Sequence, residues 1–164
     1  RMRAAQQLVF GEQIGWINPG VLQEENNAAF LKKLVTLRAR TARYFYAGEM
    51  ARPPRLLGDI PKIHADWQWG GTMWVTTDAV FRGCWVLPRE KRSLVLAVNA
   101  AEESVPVRIE ADAVRWGLPD RPVTVRRLAP EPAEAAEESP PTWGVDVVLP
   151  PASVYAWELQ SADR

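Results

Sequence analysis

The stretch LVLAVNAAEESVPVRIEA, residues 94–111, sets two kinds of β-strand side by side. Leu94 to Val98 is apolar without a break and reads as a central strand. Seven residues on, Val105, Val107 and Ile109 alternate with Pro106, Arg108 and Glu110. A period of two puts one face of that strand in a core and the other in water. Working outward, the same criteria predict strands at Met73 to Thr77, Ala79 to Leu87, Pro122 to Leu128, Val145 to Leu149 and Val154 to Leu159. Seven short strands at this spacing fit an antiparallel β-sandwich. Asp112 to Gly117 suits a short helical turn. Ala129 to Thr142, with Glu131, Glu134, Glu137 and Glu138 among Pro and Ala, reads as a solvated excursion. The chain has no internal repeat.

The first third follows another pattern. Leu8, Val9 and Phe10, stopped by Gly11, Glu12 and Gln13, suit a short buried parallel strand. The cluster Gly15-Trp16-Ile17-Asn18-Pro19-Gly20 breaks the chain, and Glu24 and Glu25 then open a helix on the side its macrodipole favours. Phe30, Leu34, Leu37, Thr41 and Tyr44 keep a period of 3.6, with Leu31, Val35 and Phe45 widening the stripe and Gly48 as the stop. Met50 to Gly71 holds three Pro and three Gly and is expected to be a linker held by packing. A strand and a helix cannot close a core. The chain also opens at Arg1, so it is expected to be the C-terminal end of something larger.

Composition narrows the function classes. Twenty Lys and Arg balance twenty Asp and Glu. No clustered positive excess drives counterion release, so neither nucleic acid nor an anionic membrane is an expected partner. No apolar run approaches the ~20 residues of a membrane helix. Cys84 is the one cysteine and His64 the one histidine, so neither an internal disulfide nor a Cys/His metal site is expected. The chain has no G-x-S-x-G nucleophile elbow, phosphate-binding loop or dinucleotide turn. No cofactor is expected.

Two groups of segments carry a family resemblance. LVFGEQIGW (residues 8–16), FLKKLVTLR (30–38) and YAGEMARPP (46–54) resemble the final strand, the last helix and the exit segment of a catalytic (β/α)8 barrel in bacterial glycoside-hydrolase-like proteins. Residues 94–111 with LPPASVYAWEL (149–159) resemble the β-sandwich that often follows such barrels. The resemblance implies residues 1–48 as the barrel's end, 49–71 as linker and 72–160 as sandwich. It makes the fold mainly β with an N-terminal α/β fragment. It also implies that Glu12, Gln13 and Trp16 lie at the barrel rim, where active sites sit, and that the two hydrolytic carboxylates come from earlier strands. Carbohydrate would be bound through that upstream domain, against which this chain packs. Alone, the chain would be inactive.

Other residue groups suggest sugar contact, each with a plainer alternative. Trp16 beside Asn18 suits a sugar platform with an amide to bind hydroxyls, or a loop Trp packed over the helix. His64, Asp66, Trp67 and Trp69 would edge a carbohydrate cleft, or the tryptophans would cement linker to sandwich. Trp74, Trp85, Trp116, Trp143 and Trp157 would form a carbohydrate-binding face if coplanar and exposed. Their apolar neighbours favour core positions, at least for Trp85 and Trp157. Cys84 suits a small buried apolar residue. A wholly different alternative is an interaction domain unrelated to sugars.

Overall fold

The computed structural model describes residues 1–15, 19–66 and 71–161. Its first element is a helix, α1 (Met2–Val9), with Phe10 at the C-cap. The strand expected at Leu8 to Phe10 is therefore replaced. Met2, Ala5, Leu8 and Val9 are buried, a helical spacing, and Ala4, Ala5, Gln6 and Gln7 are good helix formers. A three-residue apolar run cannot tell a period of two from 3.6; the deciding residues lay upstream.

A turn of 3-10 helix, Pro19–Gln23, leads into α2 (Glu25–Arg40), and α3 (Ala42–Ala47) follows. The single helix expected here is split at Thr41, whose Oγ1 donates to the Leu37 carbonyl at 2.7 Å. The predicted stripe Phe30, Leu34, Leu37, Thr41 and Tyr44 is buried throughout, whereas Val35 is exposed. Gly48 ends α3: its N–H reaches Tyr44 O at 3.0 Å. A Cβ there would run into the Tyr44 and Val86 carbonyl oxygens.

Among the described residues eleven strands follow: β1 (Glu49–Ala51), β2 (Arg55–Leu57), β3 (Lys62–Asp66), β4 (Trp74–Asp78), β5 (Val80–Leu87), β6 (Arg92–Asn99), β7 (Val105–Asp112), β8 (Val123–Ala129), β9 (Glu137–Ser139), β10 (Thr142–Leu149) and β11 (Ser153–Ser161). They pair antiparallel as a six-stranded sheet β1-β5-β6-β11-β8-β9, a three-stranded sheet β10-β7-β2 and a separate ribbon β3-β4. All seven strands expected from the sequence are present. The expected linker 49–71 is not one, because it holds β1, β2 and β3. Its breakers Pro53 and Pro54 mark the place where the chain leaves one sheet for the other, and pairing with β5 and β7 overrides weak local propensity. The β region accordingly starts at Glu49 and not at residue 72. The acidic excursion is exposed, but Glu137–Ser139 form an edge strand against β8.

The six-stranded sheet lies between two cores. Val80, Cys84, Val86, Val95, Ala97, Tyr155, Trp157 and Leu159 face the three-stranded sheet. Trp85, Leu87, Leu94, Leu96, Val98 and Ala156 face the helices. α1 lies on β5 and β6, α2 on β11 and α3 on β5. Leu94 to Val98 is continuously apolar because both its faces are dry. Asn99 ends this strand fully buried. Its Nδ2 donates toward the carbonyls of Glu103, Leu149 and Pro150 at 2.8–3.0 Å, and its Oδ1 accepts the Ala101 N–H at 3.0 Å. One side chain thus closes the β6–β7 loop and ties it to the β10–β11 turn.

Candidate functional site

The loop after α1 is set by two contacts. Trp85 Nε1 donates to Val9 O at 3.0 Å, satisfying a carbonyl at the end of the helix. Gly11, at φ +71°, passes over the Trp85 ring so closely that a Cβ would come within 2.5 Å of it. Arg38 reaches back from α2, with Nη2 donating to Gly11 O at 3.1 Å and its guanidinium 4.8 Å from the Phe45 ring centre. Phe45 meets Trp85 edge-on at 5.3 Å. Beyond this fixed point Glu12 and Gln13 are exposed. They follow a helix and not a strand, so the geometry differs from the barrel rim the resemblance implied. Trp16 and Asn18 lie outside the described residues, as do Trp67 and Trp69.

The β3–β4 ribbon brings together other expected residues. Its register sets His64 opposite Thr76 and Asp66 opposite Trp74. On the outward face, His64 Nδ1 lies 2.8 Å from Thr76 Oγ1, and the His64 and Trp74 rings stack at 5.2 Å with 17° between planes. Asp66 Oδ2 accepts the Gly71 N–H at 2.8 Å, while Trp74 Nε1 donates to Gly71 O at 3.2 Å. The ribbon therefore gathers His64 and Asp66 around Trp74, which had been grouped with the sandwich tryptophans.

Those other tryptophans are structural. Trp85, Trp116 and Trp157 are buried, Trp143 is half-buried against Trp157 at 5.4 Å, and Trp116 Nε1 donates to Arg52 O at 2.8 Å. The core placement of Trp85 and Trp157 agrees with the sequence pattern. Among the five, Trp74 alone is exposed, at 57%. Cys84 is buried and reduced, and burial pushes its thiol far above the usual range.

Glu158, on the helix-facing side of β11, escaped sequence reasoning. Its carboxylate accepts from Tyr44 OH at 2.8 Å and Arg126 Nη2 at 2.9 Å, with Arg92 at 4.0 Å. Burial, then the Glu158 charge, raise the Tyr44 hydroxyl well beyond its ordinary value. The signal available was a carboxylate at a strand position whose neighbours of equal parity, Val154 and Ala156, are buried. This cluster clamps α3 to the sheet, as Lys33 Nζ on Ala152 O at 3.3 Å and the Arg40–Glu131 ion pair hold α2.

Two hollows accompany these sites. A groove of about 580 Å³ between α2 and the sandwich is floored by Leu37, Ala129, Pro150, Pro151, Val154 and Tyr155. A cleft of about 310 Å³ over the three-stranded sheet is lined by Arg52, Arg55, Arg108, Arg115, Glu110 and Asp112. Here Glu110 and Asp112 already pair with arginines at 3.1–3.6 Å. Among the described residues no group of three or more His, Cys, Asp and Glu converges as metal ligands would.

No family model matches the chain, and no curated protein matches it. Among solved structures it is similar to a glycoside hydrolase family 27 β-L-arabinopyranosidase from Geobacillus stearothermophilus in complex with arabinose. The identity is 14% and the TM-score 0.45, over 98% of this chain and 30% of that one. It is also similar to a thermostable family 51 α-L-arabinofuranosidase from Thermotoga petrophila, at 13% identity and a TM-score of 0.34, over 62% of this chain and 24% of that one. Both neighbours are glycoside hydrolases, both likenesses fall below a TM-score of 0.5, and the chain spans less than a third of either.

Proposed function

We propose that this chain is the C-terminal region of a carbohydrate-active, glycoside-hydrolase-like protein. In this reading the β-sandwich is a structural accessory, and the catalytic carboxylates belong to an upstream (β/α)8 barrel. The observation that carries the reading is the helical layer. It is fastened to the six-stranded sheet by Trp85 on Val9 and by Tyr44 on Glu158, yet Phe10, Val21, Leu22, Val35 and Tyr46 on it remain exposed. A single exposed apolar side chain is ordinary. Five on one layer and its connecting turn suit burial against further protein.

The barrel's end is then α2, without a strand at Leu8 to Phe10. Residues YAGEMARPP become the exit through β1 into the sandwich, and the sandwich stiffens the barrel by gripping its last helix from behind. The reaction would be hydrolysis of a glycosidic bond by a carboxylate pair upstream, whose separation would set retention or inversion.

The test is the native gene product that contains this chain, examined by intact mass and by hydrolysis of a panel of nitrophenyl glycosides. The expected product carries at least ~200 further residues, since such barrels run to ~250, and releases nitrophenol, whereas residues 1–164 alone do not. A native product of 18.4 kDa, or hydrolysis by this chain alone, would overturn the proposal.

A further inference from the structure

The pleat of the β3–β4 ribbon sorts its residues by face. Ile63, Ala65, Val75 and Thr77 turn inward and are half-buried, Ile63 against the helix-side core. Lys62, His64, Asp66, Trp74, Thr76 and Asp78 share the outward face. A tryptophan there adds nothing to the core, and it remains 57% exposed. Its ring is nevertheless held. The His64 imidazole lies nearly parallel to it, Thr76 Oγ1 holds the imidazole, and the indole N–H is pinned to Gly71 O. Gly71 is in turn held by the Asp66 carboxylate.

We infer that this outward face is a carbohydrate contact site, with the Trp74 indole as the platform for the C–H face of a neutral sugar ring. The inference rests on the carbohydrate reading above and names the part of this chain that would touch the sugar. Three features carry it. The ring is already fixed at its edge and against one neighbour, so docking a ligand costs little side-chain ordering. An apolar ring flanked by an imidazole, a hydroxyl and a carboxylate matches the amphipathy of a sugar, with C–H groups on one face and hydroxyls around the rim. The formal charges of the outward face are engaged, Lys62 with Asp78 at 2.5 Å and the Asp66 carboxylate with the Gly71 N–H, which suits a neutral ligand over an ionic one. A protein partner would call for an apolar surround on the scale of a ~1,000 Å² interface. Among the described residues the outward face offers mostly polar neighbours, with Met73 the exposed apolar residue beside it.

The experiment is affinity electrophoresis of residues 1–164 through gels containing galactomannan, arabinoxylan or mixed-linkage glucan. Calorimetry with oligosaccharides of whichever polymer retards the chain completes it. The wild type is expected to be retarded by at least one polymer. Trp74→Ala should weaken binding by about tenfold, the scale of one well-formed aromatic contact. Trp74→Tyr should retain part of the affinity, and both variants should melt with the wild type because the ring is outside the core. Absence of retardation by all three polymers, or a Trp74→Ala chain retarded like wild type, would overturn the inference. Nitrophenyl glycoside hydrolysis by the native product judges the parent reading separately. An active product whose Trp74→Ala form binds polymer normally sinks the platform and leaves that reading standing.

Discussion

Strands β6 and β10 are both eight residues long, and they belong to sheets that face each other across one core. They differ in what lies behind them. β6 has the second sheet on one side and helices on the other, so from Ser93 onward it is buried at every position. β10 has water behind it, so Thr142, Gly144, Asp146 and Val148 are exposed while Val145 and Val147 turn inward. The number of dry faces, more than strand identity, decides where stability is stored and where surface chemistry is free to vary. Substitutions along the two strands should therefore behave unlike one another.

The largest effect is expected at Leu96, fully buried on the helix-facing side of β6. Leu96→Ala should cost about 3 kcal/mol in urea unfolding, within the ~2–5 kcal/mol of large-to-small core changes. A loss under ~1 kcal/mol would mean the helical layer does not seal that face. Next comes Gly83 on β5, where an added Cβ would sit 2.8 Å from Val9 O and 3.0 Å from Val9 Cβ. Alanine there should cost ~1–3 kcal/mol by overpacking. Hydrogen exchange should show α1 amides losing protection first, whereas unchanged α1 protection would show that the helix has room to move.

Asn99→Leu removes a buried amide that three carbonyls and one N–H depend on, and should cost ~1–3 kcal/mol. The accompanying signature is faster exchange in the turn before β11. A wild-type melt would show that water replaces the amide without penalty.

A smaller, pH-dependent effect separates the two cores. Cys84 lies in the core between the sheets and Tyr44 in the core between the helices and the large sheet, and both have raised pKa values in the folded protein. Above about pH 8.5 for the thiol and about pH 10 for the phenol, the unfolded chain gives up a proton that the native state keeps. The unfolded state then binds fewer protons, so stability falls as pH rises. Their contribution is whole below those values. Unfolding titrations should show Cys84→Ala flattening the descent between about pH 8.5 and 10, and Tyr44→Phe flattening it beyond. Parallel curves for all three proteins would contradict the burial of these groups. The smallest effect belongs to the wet face, where Val148→Thr on β10 should stay within ~0.5 kcal/mol.

The dry-face rule also accounts for what could be read in advance. Val105 to Ile109 and Leu94 to Val98 announced themselves because coverage is written into their periodicity, as did the stripe from Phe30 to Tyr44. β1, β2 and β9 were illegible: three residues carry too little pattern, and each exists because a longer neighbour offers it an edge. α1 was hidden by its own tail, where Leu8 and Val9 mimic a strand. Of the expected site residues, His64 and Asp66 do meet on one surface, while Glu12 and Gln13 are simply exposed. Trp74 was hard to distinguish from the core tryptophans because only the ribbon register decides which way it points. Glu158 is a polar residue whose partners come from α3 and β8, and no local window contains all three.

One feature of the crossing at Pro53 and Pro54 bears on how this protein can be divided. β1 closes one edge of the large sheet and β2 one edge of the small one, although only Arg52, Pro53 and Pro54 separate them. A protease nick or a fusion junction anywhere in that interval would leave both sheets with a raw border able to recruit strands from other molecules. The segment acts as a hem. A graft of this sandwich onto another scaffold keeps both borders closed, and the helices that cover the large sheet, only if the seam is placed ahead of α1.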